Sequence, residues 1–273
     1  MLDQAVFDGT TLEYEVAGQG ERVVFIHGAF IADAFQPLLA EASIAHDYQL
    51  ITYHRRGYVG SSRPDGTLSI GQQAADCRAL FRHLGIARAH VVGHSFGGVV
   101  ALQLALDAPE LVQTLALLEP ALAVGASGPG YYESLASGIQ RYRDVGGAVA
   151  VDEFLQARWP GYRAPLEQVL PGAFEQAVAD APNTFESELP GLLDWSFSAA
   201  QARRITQPVL SVLGGESDAL GPRFGETHRT LCTWLPHAEG FILPGATHFL
   251  QVQNPRDMAE ALAAFFSKHP LEI

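Results

Sequence analysis

The 273 residues, 48% hydrophobic and 17% charged, fit one large α/β domain or a core with an insertion, and exclude a disordered or fibrous chain. A formal net charge of −13 and a pI near 5.1 argue against nucleic acid and anionic membrane as partners, which both call for basic patches, and mildly disfavour strongly anionic substrates. Cys77 and Cys232 form no motif and read as free thiols, no basic-then-apolar leader opens at Met1-Leu2-Asp3-Gln4, and no apolar run approaches membrane-spanning length, so the expected location is cytoplasmic.

In chain order, Gln4 to Phe7 and Thr11 to Ala17 read as two short strands around the turn Asp8-Gly9-Thr10. Val23 to Ile26, Leu50 to Tyr53, His90 to Gly93, Thr114 to Leu118, Pro208 to Leu213 and Gly240 to Leu243 are apolar runs of the kind expected of strands buried on both faces. Helical spacing marks Ile70 to Leu84, closed by Gly85, a helix ending at Ala108 before Pro109, and a final amphipathic helix from Pro255 to Phe266. Strands alternating with helices predict an α/β fold with a mostly parallel sheet covered on both faces. Between Pro120 and about Gln207 the alternation stops. Helix-like runs near 131–142, 149–159, 166–181 and 184–197 predict a helical cap (lid) at 121–207, inserted into a core made of 1–120 and 208–273.

The run Ala89–Val92 leads into Gly93-His94-Ser95-Phe96-Gly97-Gly98, and the apolar run Val99 to Leu106 leaves it. A serine on such a strand-to-helix turn is held in a strained conformation with its hydroxyl projecting, and side chains in place of the flanking glycines would strike the neighbouring elements. The helix that follows contributes N–H groups and a dipole that favour negative charge beside the serine. Gly-x-Ser-x-Gly alone is a weak signal in a glycine-rich chain. Its context strengthens it, because functional groups of an open parallel sheet gather at the carboxyl ends of the strands, and there the chain carries His27-Gly28, Ser95, Glu119, Asp218 and His248.

On those residues the chain resembles the α/β-hydrolase superfamily, in particular its small cap-bearing members of the esterase, lactonase and haloperoxidase-like type. The resemblance covers almost the whole chain. It rests on His27-Gly28, the turn His54 to Ser62, the Gly93–Gly98 elbow, Gly215-Glu216-Ser217-Asp218 and Gly245-Ala246-Thr247-His248, in the order that fold uses. It implies Ser95 as nucleophile and His248 as its general base. Two acids compete to orient His248. Asp218, after the fifth buried strand, has the superfamily's usual place and is preferred; Glu119, after the strand that follows the elbow helix, has the place used by a minority. Backbone N–H groups of Phe96 and Ala29 are expected to form the oxyanion hole. His94 and His27 are expected to be structural, and Arg55 and Arg56 structural or at the rim.

Serine at the elbow, where dehalogenase and epoxide-hydrolase members carry aspartate, points to an acyl-serine intermediate. No metal-ligand motif, dinucleotide fingerprint or phosphate loop is present, so no metal or other cofactor is expected. The aromatic-rich cap, with Phe30, Trp159, Trp195 and Phe249 as pocket residues, predicts a small hydrophobic ester or lactone as substrate. The alternatives are a carbon–carbon bond hydrolase or a cofactor-free perhydrolase with the same triad, and, outside catalysis, a small-ligand receptor. The expected assembly is a monomer or homodimer.

Overall fold

The apolar runs of the sequence become one eight-stranded sheet in the computed structural model, which describes residues 2–271; Met1, Glu272 and Ile273, at the outer ends of the expected core segments, lie outside the described residues. The strands are β1 (Asp3–Phe7), β2 (Thr10–Gly18), β3 (Glu21–Ile26), β4 (Tyr48–Tyr53), β5 (Ala89–His94), β6 (Val112–Leu118), β7 (Val209–Gly214) and β8 (Ala238–Leu243). Their order is β1-β2-β4-β3-β5-β6-β7-β8. The pairs β1/β2 and β2/β4 are antiparallel and the rest parallel.

Successive side chains of a strand point to opposite faces, so each central strand feeds two cores. Val91 joins one apolar cluster and Val92 the other. The first cluster is closed by α3 (Ile70–His83) and α4 (Phe96–Asp107); the second by α1 (Gln36–Leu39), α2 (Ala42–Ala45), α12 (Leu250–Gln253) and α13 (Pro255–Ser267). Every residue of β5 and β7 is buried, whereas edge strand β8 leaves Glu239, Gly240 and Ile242 exposed. Local chemistry sets the helix starts. Ser69 and Gln72 form a capping box before α3, and the Asn254 side chain accepts the Asp257 N–H before α13.

Between β6 and β7 the chain is helical: α5 (Gly128–Val145), α6 (Gly147–Gln156), α7 (Arg163–Val169), α8 (Ala173–Ala179), a π-helical turn Asn183–Glu188, α9 (Leu189–Leu193) and α10 (Ala199–Ala202). The predicted run 166–181 is two helices, separated where Gly172 takes a left-handed φ of 76°. The twelve-residue helix α11 (Arg223–Trp234) has no counterpart among the predicted elements, and neither do the single-turn helices α1, α2, α10 and α12. Cys77 and Cys232 are free, the former buried and the latter half-buried. Among the described residues, no helix is long and apolar enough to cross a membrane.

Candidate active site

The carboxyl ends of β5, β6 and β8 converge on one hydrogen-bonded chain of side chains. Ser95 ends β5 and opens α4 with φ 50° and ψ −114°, a conformation that costs a non-glycine residue strain and is held by its surroundings. Its N–H donates to Leu118 O at 2.9 Å, and its carbonyl accepts from Ala121 N at 2.9 Å and Gly98 N at 3.0 Å. Close packing enforces the small neighbours. A Cβ on Gly97 would collide with the Ile26 carbonyl oxygen, and one on Gly28 would come within 2.8 Å of His94 Nδ1 and 3.2 Å of Ser95 Cβ. The loop after β3 therefore lies directly against the serine, with Phe30 at φ 70°.

His248 Nε2 lies 2.9 Å from Ser95 Oγ, and its Nδ1 lies 2.8 Å from Glu119 Oε2. Glu119, at φ 42° just past β6, is buried, and its other oxygen accepts the Gly214 N–H at 2.8 Å. Asp218, the preferred acid on sequence grounds, does not reach the histidine. It is exposed, in a single 3-10 turn after β7, and its Oδ1 accepts the Gly225 N–H at 3.1 Å in the first turn of α11. The end of β7 thus contributes a backbone donor to Glu119 instead of a carboxylate to His248, and the alternative acid Glu119 holds the position.

Burial first, then the positive charges of Arg223 and Arg158, hold His248 well below the usual histidine range. Its imidazole is therefore neutral at rest. With Nδ1–H donated to Glu119, Nε2 is left to accept the Ser95 proton. Burial pushes the Glu119 carboxyl up, against the opposing pull of the Ser217 hydroxyl, the Gly214 amide and nearby positive charge. The other two histidines are braces, as expected. His94 Nε2 lies 2.7 Å from the His248 carbonyl oxygen, and burial drives its pKa down to about 3. His27 Nε2 accepts the Arg55 N–H at 3.0 Å, so its Nδ1 donates to Gly28 O at 2.7 Å.

A cavity of about 590 Å³ lies between the helical insert and the sheet edge, with Tyr131, Phe154, Arg158, Phe185, Arg223 and Phe224 among its walls. Ser95 is not among the lining residues. The cavity meets the site through Phe224, whose ring centroid is 5.0 Å from that of His248, and through Phe154 and Phe185, which pack on Phe30 at 4.4 and 5.3 Å. None of the four expected pocket residues lines it. Phe30 is buried behind the wall, and Phe249, also buried, packs on Trp159 at 5.9 Å. Trp195 stacks on Phe197, and its indole N–H donates to Gln103 Oε1 at 2.8 Å, as a covered indole requires an acceptor. Sequence reasoning passed over Arg158, Arg223 and Phe224; the signal available was an Arg-Phe pair a few residues beyond the preferred acid turn, after Gly221-Pro222.

A family model described as "Alpha/beta hydrolase family" matches residues 23–261. The chain is 37% identical over 135 residues to the dihydrolipoyllysine-residue acetyltransferase component of an acetoin cleaving system from Cupriavidus necator, covering 49% of this chain and 36% of that one. It thus spans only about a third of that relative's length. It is 27% identical over 265 residues to 2-hydroxymuconate semialdehyde hydrolase of Pseudomonas putida, covering 92% of this chain and 89% of that one. Among solved structures, a thermophilic esterase from Thermogutta terrifontis superposes with a TM-score of 0.82 at 20% identity, over 99% of this chain and 100% of that one.

Proposed function

The chain belongs to the alpha/beta hydrolase family, and from that premise we propose that it cleaves carboxylic esters or lactones through an acyl-Ser95 intermediate. The observation that carries this reading is the relay from Ser95 Oγ to His248 Nε2 and from His248 Nδ1 to Glu119, at 2.9 and 2.8 Å. In it, the Ser95 oxygen attacks the substrate carbonyl carbon while Nε2 takes its proton. The N–H groups of Phe96 and Ala29 hold the oxyanion, and the dipole of α4 adds to that stabilisation. Glu119 orients the imidazole and stabilises the imidazolium. Collapse of the tetrahedral intermediate expels the alcohol oxygen, which takes the proton back from Nε2. Water, deprotonated by the same nitrogen, then attacks the acyl carbon and releases the acid and Ser95. The helical insert serves as a cap, since its residues wall the cavity whose Phe224 packs against His248.

Hydrolysis of p-nitrophenyl acetate and butyrate, with Ser95→Ala as control, tests the reading. Turnover by the native chain and a loss of several orders of magnitude in Ser95→Ala is the expected result. A native chain inert toward these and a panel of other esters and lactones would overturn it. The same groups would serve a carbon–carbon bond hydrolase, and the Pseudomonas putida relative matched over most of its length is named as a hydrolase of a semialdehyde rather than of an ester; cleavage of a vinylogous diketone with no ester turnover would favour that second reading.

A further inference from the structure

Arg158 and Arg223 stand apart from most of the other arginines whose contacts the structure describes; Arg22 donates to Gln49 Oε1 at 3.4 Å at the sheet surface. Arg55, Arg56, Arg63, Arg141, Arg163 and Arg256 each pair with a carboxylate. Even at the cavity rim, Arg141 is neutralised by Glu153. Deeper in, among the described residues, neither Arg158 nor Arg223 forms an ion pair with a carboxylate, and the acid within reach of the Arg223 charge, Glu119, is already engaged by His248 and Gly214. The Arg158 side chain, just past α6, makes one hydrogen bond, to the Phe154 carbonyl oxygen at 3.1 Å, and lies 3.3 Å over the Phe154 ring. Arg223, at the start of α11, stacks over Tyr131 at 4.2 Å and Phe224 at 4.0 Å, and its Nη1 is buried with no partner.

Both guanidinium groups act on the same imidazole, and each lies within the other's field. Two like charges brought together out of water, one with an unmet donor, form an arrangement that an anion would relieve. Aromatic stacking holds the guanidinium planes, with Arg223 Nη1 left without a partner and Arg158 Nη1 donating to one carbonyl, and a planar guanidinium so held suits bidentate capture of a carboxylate.

We propose that Arg158 and Arg223 form a carboxylate subsite beside Ser95, and that the preferred substrate is an ester or lactone bearing a free carboxylate. The inference rests on the serine hydrolase reading for its chemistry and on the arginine pair for its specificity. The apolar walls take the carbon skeleton and the arginines fix its far end, so the negative net charge of the molecule does not bar an anionic substrate.

Two substrate series test it. Monomethyl esters of succinic, glutaric and adipic acids are compared with their dimethyl esters, and acetyl esters of glycolic and 3-hydroxypropionic acids with their primary amides. The expected result is a kcat/KM preference for the carboxylate form of roughly tenfold or more in at least one series. That preference falls roughly tenfold to a hundredfold in Arg158→Met and in Arg223→Met; because it is a ratio within one protein, a partial folding defect cancels.

A second readout is the pH profile. The charged and titratable groups facing His248 are Glu119 beyond β6, His94 at the elbow, Arg158 after α6 and Arg223 on α11. A bound carboxylate offsets the two arginine charges that depress the imidazole. The acid limb of kcat then lies at higher pH than that of kcat/KM for carboxylate esters, and the two limbs coincide for neutral ones. Ser95-dependent hydrolysis of neutral esters with no carboxylate preference in either series would overturn the subsite and leave the hydrolase reading standing. Calorimetric binding of glutarate to Ser95→Ala, abolished by Arg223→Met, in a protein inert toward every ester would do the reverse.

Discussion

Phe30, Ser95 and Glu119 adopt φ values of 70°, 50° and 42°, and each follows the end of a parallel strand. Such conformations cost about 1–3 kcal/mol apiece, and here they turn the chain sharply where side chains must leave the sheet edge. At Glu119 the turn aims a carboxylate inward between Gly214 N and His248 Nδ1. Asp218, with ordinary turn geometry, faces solvent and caps α11. Glu119→Gln is therefore expected to lower kcat by roughly 10²- to 10⁴-fold, because the amide cannot stabilise the imidazolium and its NH₂ disfavours the needed tautomer. Asp218→Asn is expected to stay within a few-fold of the native chain. Ester turnover, checked against thermal melting of each variant, decides the matter, and an equal loss in Asp218→Asn would return the acid to that position. The sequence made Ser95 and His248 legible because each lies in a short local pattern. It left the acid open because both candidates end an apolar strand, and only the three-dimensional path of the backbone distinguishes a buried carboxylate from a solvated one.

Between elements, one buried ion pair does much of the joining. Arg55, in the turn after β4, donates to His27 O at 3.0 Å and Gly28 O at 2.9 Å, and pairs with Glu188 of the helical insert and Gln73 of α3. Tyr58 adds a donor to Glu188 at 2.6 Å and accepts from Phe30 N at 3.4 Å. The carbonyls of the loop beside Ser95, the elbow face of the core and the insert are thus fastened through a single guanidinium, only 1% exposed. Removing one partner of such a pair leaves a stranded charge, and Glu188→Leu is expected to cost about 3–5 kcal/mol. Replacing both, as Arg55→Met with Glu188→Leu, is expected to cost less than the sum of the single losses. Urea unfolding of the single and double variants measures this coupling; strict additivity would show that the pair does not fasten these elements. No local pattern announces the pair, since its partners are 133 residues apart. The strands were legible because apolar runs write themselves into sequence. The helix α11 was not, because Gly225, Thr227, Thr230 and Thr233 are poor helix formers and packing on β7 and β8 decides its conformation. Missing that helix also hid Arg223, its first residue.

Across the whole molecule, a net charge of −13 surrounds a cavity whose unpaired charges are positive. The two fields have different ranges. The net charge acts over a body with a radius of gyration of about 19 Å for this length, whereas the arginines act at contact. At about 0.01 M salt the Debye length is roughly 30 Å and an approaching anion meets the repulsion of the entire surface; at about 0.15 M it is roughly 8 Å and that repulsion is largely gone. Contacts inside the walled cavity are screened far less. Raising salt across this range is therefore expected to increase kcat/KM for a carboxylate-bearing ester and to leave that of its neutral diester nearly flat. The gain belongs in KM, since the chemical step at Ser95 takes place out of reach of the surface charge. A fall in kcat/KM for the anionic ester would mean that attraction by Arg158 and Arg223 governs approach as well as binding, and that the local field overrides the global one even outside the cavity mouth.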